Sequence, residues 1–102
     1  MEDRQREVAA FVAEHDLETP PAYRLLDLVS EVGELAKDAN ESTEYGDDPD
    51  ELEISADELG DVLFATLAVA DALEIDADTA LDEALAKYDR RLSMDGSPGS
   101  GE

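Results

Sequence analysis

Apolar residues return along most of this chain at three- and four-residue intervals, the spacing of one helix face. Val8, Phe11, Val12 and His15 form a first stripe and predict a helix over Glu2–Glu14. Leu25, Leu28, Val29, Val32, Leu35, Ala36 and Ala39 form a second. Its expected start has Thr19 as the cap and Pro20 and Pro21 in the first turn, where a missing N–H costs nothing. A loop is expected from Asn40 to about Asp48, holding Tyr45-Gly46-Asp47. Asp48-Pro49-Asp50-Glu51 then reads as the start of a third helix, with Asp48 as cap and Glu51 at the capping-box position. That helix is expected to run to about Leu73. Its residues 62–70 are apolar except for Thr66, and a helix apolar all round is a buried one. Asp76 or Asp78 caps a fourth helix with the stripe Leu81, Ala84, Leu85, Tyr88 and Leu92. The Gly-, Ser- and Pro-rich residues 94–102 predict a flexible tail. No two-residue alternation competes. The expected fold is all-α, most simply a four-helix bundle, with one domain over residues 1–93 followed by the tail.

Composition adds one strong feature. The 102 residues carry a net charge of -22, with 29 acids against 7 lysines and arginines. Small soluble domains usually carry a magnitude of about 2–8. Self-repulsion of this size opposes a compact state unless salt screens it. The charge therefore points to a salt-rich cytoplasm. A wholly disordered acidic chain is excluded by the periodic apolar stripes. Nucleic-acid binding is disfavoured because no basic patch exists. There is no cysteine, which excludes disulfides, zinc ribbons and thiol nucleophiles. No apolar run is long enough to span a membrane, and Met1-Glu2-Asp3-Arg4 does not open a signal peptide. A cytoplasmic protein without membrane partners is expected. The core of so short a chain is thin, and pairing with a second copy would help it.

Two short motifs carry the chemistry. Glu31-Val-Gly-Glu34 and Glu58-Leu-Gly-Asp61 each place two carboxylates at i and i+3, neighbours on one helix face. Antiparallel packing of the second and third helices would gather the four into one cup, with close helix approach at Gly33 and Gly60. Carboxylates about 4 Å apart repel by roughly 4 kcal/mol per pair at an effective dielectric near 20. Such a cup persists with a cation inside it or protons on some members. Oxygen-only ligands favour a hard ion, Mg²⁺ or Mn²⁺. Glu58 and Asp61 fall on a stripe of small apolar residues, where unpaired acids are rare. Glu31 and Glu34 fall on an acidic face shared with Asp27 and Asp38, where simple solvation is the competing account. Lys87 and Arg91, at i and i+4, are either phosphate holders or charges placed to suit a helix C-terminus. Lys37, one turn beyond Glu34, has the same two readings. His15 is expected as a partly buried helix-end residue rather than a catalyst. P-loop and dinucleotide-binding glycine motifs are absent.

These residues resemble the signature of the MazG-like nucleotide pyrophosphohydrolases of the all-α NTP pyrophosphatase superfamily. The likeness spans residues 31–37 (EVGELAK), 58–65 (ELGDVLFA), the turn at 73–76 and 87–91 (KYDRR), and covers roughly residues 8–92. It implies hydrolysis of a nucleoside triphosphate to monophosphate and pyrophosphate, clearing non-canonical or surplus nucleotides. It implies Mg²⁺ on Glu31, Glu34, Glu58 and Asp61, with Glu34 directing or deprotonating the attacking water. It further implies phosphate binding by Lys87 and Arg91, and a homodimer or homotetramer. Two alternatives stand beside it: hydrolysis of phosphoribosyl-ATP, and a non-catalytic regulator that binds nucleotide or metal.

Overall fold

The computed structural model describes residues 1–95. Four α-helices follow one another: α1 (Glu2–Glu14), α2 (Pro21–Ser42), α3 (Ala56–Ala72) and α4 (Ala77–Asp95). A single 3₁₀ turn, Pro49–Glu51, interrupts the α2–α3 connection. No strand occurs among the described residues, so the all-α class stands. No described helix is long and apolar enough to cross a membrane.

The element starts differ from expectation in two places. The cap of α2 is Pro20 in an extended conformation, not Thr19, and no side chain caps that end. Pro21 then occupies the first helical position, where its fixed φ suits the helix. Asp48 makes no side-chain cap either, and Pro49–Glu51 closes only one turn. The chain stays irregular through residues 52–55, and α3 starts at Ala56. Its cap is Ser55, whose Oγ accepts the Glu58 N–H at 3.1 Å. Ser55-Ala-Asp-Glu58 is itself a Ser-x-x-Glu sequence, so a second start signal lay seven residues beyond the one favoured. At α4, Asp76 is the cap: its carboxylate accepts the Asp78 N–H at 3.3 Å and the Thr79 hydroxyl at 2.7 Å.

The α2–α3 connection lies later in the chain than expected and is longer, because α2 runs on to Ser42 and α3 starts only at Ala56. Thr43 is buried, donates its hydroxyl to the Ala39 carbonyl and accepts the Gly46 N–H at 3.0 Å. Glu44, Tyr45 and Gly46 all have positive φ, with Gly46 at 90°, a value that suits glycine best. Ser42 Oγ donates to the Asp38 carbonyl and accepts the Glu53 N–H, tying residues 52–55 back to α2.

α2 packs along α3, and α1 packs on α3 with Phe11 edge-on to Phe64 at 5.9 Å between centroids. His15 ends α1 as expected but is exposed, its ring 4.4 Å from that of Phe11. The core is small: Val12, Ala65, Leu67 and Ala68 are the buried apolar residues among those described. α4 meets the rest chiefly through α1. There the half-buried Gln5 donates to the Ile75 carbonyl and accepts the Ala77 N–H, both at 2.8 Å. The radius of gyration is 16.3 Å, against about 13 Å for a compact chain of roughly 100 residues. The shape is open, and it leaves whole apolar stripes uncovered. Leu26 and Val29 on α2 are 62% and 61% exposed, and Leu85 on α4 is 56% exposed.

Residues 94 and 95, expected in the tail, are the last of α4. The remaining expected tail, 96–102, lies outside the described residues.

Candidate functional site

The antiparallel α2–α3 pair builds the site. Heptad spacing returns α2 to nearly the same face, and Arg24, Glu31 and Asp38 follow that spacing. All three are half-buried. Asp38 faces Glu58 of α3, and two α2 turns earlier Glu31 shares a cavity with Asp61. Glu34 sits about 60° around the helix from Glu31 and is exposed, as is Asp61.

The four motif carboxylates are therefore not one preformed cup. Among the described residues no three His, Cys, Asp or Glu side chains converge as a metal-holding group. They form two neighbouring clusters along one seam instead. The reason is angular: the α2 seam follows residues 31, 35 and 38, and Glu34 lies to its solvent side. The expected close approach at the glycines is also overturned. A Cβ built on Gly33 or Gly60 would meet nothing within 4 Å, because both positions point away from the α2–α3 seam.

Glu58 is the most perturbed group. Its carboxyl is pushed up to about 7, first by a hydrogen bond to Asp38, then by burial, then by the negative charges of Asp38, Glu34 and Asp57. Its Oε2 is closed off from solvent and has no hydrogen-bond partner among the described residues. An orphaned carboxylate oxygen beside other carboxylates suits a hard dication in both charge and donor type. Around this end lies a cavity of about 760 Å³, lined by Asp38, Glu41, Leu52, Glu53, Ile54 and Glu58. Toward the α2 N-terminus lies a smaller one of about 170 Å³, lined by Arg24, Asp27, Glu31, Asp61, Phe64 and Ala65 among others.

The proton on Glu58 has a consequence for stability. The folded-state pKa of about 7 lies above the ordinary value of 4.5. Folding therefore favours the protonated form. That contribution is complete below the unfolded pKa and is lost as pH rises through the folded one. In molar KCl, without divalent metal, melting temperature should fall between about pH 5 and about pH 8. Glu58→Gln should flatten that fall. Identical slopes for the two proteins would show that Glu58 is not its source.

The cations expected at the site line neither cavity within the single chain. Lys37 is exposed and lines neither cavity. Lys87 is half-buried on α4, its Nζ 5.1 Å from the centre of the Tyr88 ring. Arg91 is also half-buried on α4, and neither residue lines the two cavities. The cation at the carboxylates is Arg24, which the sequence reading passed over. Asp38 was placed on the solvated face and instead faces Glu58. The heptad from 24 to 31 to 38 was the available signal for both.

Residues 20–93 match the model of the MazG nucleotide pyrophosphohydrolase domain. The chain is 30% identical over 96 residues to the uncharacterized protein YpjD of Bacillus subtilis (strain 168), covering 89% of this chain and 85% of that protein. The fold is similar to the crystal structure of YPJD from Bacillus subtilis, a candidate pyrophosphatase. The TM-score is 0.72 at 32% identity, over 89% of this chain and 94% of the other.

Proposed function

The chain belongs to the MazG nucleotide pyrophosphohydrolase family, and on that footing we propose that it cleaves the α–β phosphoanhydride of a nucleoside triphosphate. The products are a nucleoside monophosphate and pyrophosphate, and the role is removal of non-canonical or surplus nucleotides. The observation that carries the reading is the Glu58 oxygen without a partner, set among carboxylates on the two helices that hold both family motifs.

Glu31, Glu34, Glu58 and Asp61 would hold Mg²⁺, or Mn²⁺. The ion supplies charge neutralisation of the triphosphate and a lower pKa for a bound water. Glu34, exposed on the solvent side of the seam, would orient the attacking water or take its proton. The water oxygen joins phosphorus as the bridging P–O bond breaks, and pyrophosphate leaves. The cavity of about 760 Å³ is within the range of roughly 300–1,000 Å³ typical of small-molecule sites.

A homodimer or homotetramer accounts for the exposed leucines and valines of α2 and α4. It would also account for Lys37, Lys87 and Arg91, which would contribute to phosphate binding across an interface rather than within one chain.

The test is an incubation in molar KCl with canonical and modified nucleoside triphosphates and phosphoribosyl-ATP, with and without Mg²⁺. Metal-dependent release of pyrophosphate and monophosphate is the expected result. Folded protein that binds nucleotide without releasing pyrophosphate from any substrate would sink the enzyme reading and leave the binding regulator.

A further inference from the structure

We propose that Arg24 is a substrate-binding residue whose guanidinium takes phosphate oxygens of the triphosphate, an inference that rests on the pyrophosphohydrolase reading above. Arginine is almost never deeply buried unless its charge is paired. The Arg24 side chain is only 12% exposed, yet its contacts are slight. Nη2 donates to the Leu17 carbonyl, which fixes the side chain against the α1–α2 connection. Nη1 lies 3.9 Å from the Asp27 carboxylate, beyond hydrogen-bond reach, and that carboxylate is 63% exposed. No ion pair to Glu31 or Asp61 forms among the described residues, although all three line the same cavity. Most of the guanidinium's five donors are thus uncommitted, beside two of the four proposed metal ligands.

Size narrows what those donors take. The cavity is about 170 Å³, below the roughly 300 Å³ at which pockets for whole small molecules begin. A phosphate group fits that scale and a nucleoside does not. A phosphate drawn to a dication on Glu31 and Asp61 would enter the same cavity as the guanidinium. Arginine's planar fork meets phosphate oxygens in pairs, which lysine cannot do. The charge also matters here: five arginines and two lysines serve the whole chain, and this one is held at the seam.

The experiment measures binding of inorganic pyrophosphate with Mg²⁺, and of Mg²⁺ alone, by calorimetry in molar KCl. The proteins are wild type, Arg24→Gln and Arg24→Lys, each checked for helicity and melting temperature. Arg24→Gln should weaken Mg²⁺-pyrophosphate by at least about tenfold, the scale of a charged hydrogen bond. It should bind Mg²⁺ alone at least as tightly as wild type, because a neighbouring positive charge is gone. Arg24→Lys should fall between. A folded Arg24→Gln with wild-type pyrophosphate affinity overturns the inference. So does an equal loss for Mg²⁺ alone, which would mean that Arg24 only holds the carboxylates in place. If Arg24→Gln does not fold, the wild-type protein carries the test. Its Arg24 Nε–H resonance, assigned by its absence from Arg24→Lys, should shift when Mg²⁺-pyrophosphate is added, and an unmoved resonance overturns the inference. Wild type that neither binds Mg²⁺-pyrophosphate nor hydrolyses any triphosphate would instead overturn the parent reading.

Discussion

Glu58→Gln, and separately Asp61→Asn, should lower turnover by at least about a thousandfold, or roughly 4 kcal/mol of transition-state stabilisation. Each change removes one charge while nearly preserving shape. The effect on stability should have the opposite sign. Glu58 is pushed up to about 7 by Asp38, burial and neighbouring acids, so the metal-free fold is working against its ionised form. Gln at 58 keeps a donor for Asp38 and carries no charge. The variant should melt at or above the wild-type temperature in metal-free buffer at neutral pH, and should lose most of the stabilisation that Mg²⁺ gives wild type. Asp61 is exposed and shares its cavity with Glu31 and Arg24, so Asn there should leave the melt nearly unchanged. Steady-state assays and thermal melts on the same samples separate the possibilities. A neutral effect on turnover would return both motifs to surface charge. A collapse of the fold would mean that the acids hold the helices together.

Transfer from molar KCl to about 0.1 M should lower the melting temperature by about 10–20 °C, as expected for the loss of a few kcal/mol in a domain of this size. The screening length grows from about 3 Å to about 10 Å over that change, so neighbouring acids begin to feel one another. The pattern of ion pairs makes the effect large. Three of the pairs given by the structure lie within α1, between Arg4 or Arg6 and Glu7, Glu2 or Asp3. Another joins the Met1 ammonium to Asp78 at 3.0 Å. Of the pairs given, the long Arg24–Asp27 approach is the one that involves an acid of α2 or α3. Circular dichroism melts across a salt series at fixed pH would show the dependence. A melting temperature indifferent to salt would sink the reading of a salt-adapted chain.

The sequence carried the helices well and the seam poorly. Periodicity placed α1 and the end of α3, and the acids at 76 and 78 bracketed the α4 cap that falls on Asp76, because those features are local. The start of α3 was missed because two capping sequences compete, and Ser55 prevails where α3 first packs along α2. Gly33 and Gly60 suggested a close crossing, but local sequence does not show which side of a helix meets its neighbour. The same limit hid Asp38 and Arg24: in so acidic a chain each looked like ordinary surface charge. Their roles emerged only when the register of α2 on α3 was known. Lys87 and Arg91 show the limit from the other side. Both lie on α4 at the expected spacing, yet neither lines a cavity that holds the carboxylates within one chain, and tertiary position is not written in an i, i+4 pair.

Nearly all of the acidic seam lies on α2 and α3, the consecutive helices that pack most extensively. Such a local hairpin is the natural nucleus of folding, since it closes the least chain for the most contact. Here the nucleus must close with its own negative charges facing inward. Counterions that screen the seam should therefore speed folding as well as deepen the native well. For a chain built this way, the pace at which it gains its shape should follow the ionic composition around it, not only its sequence.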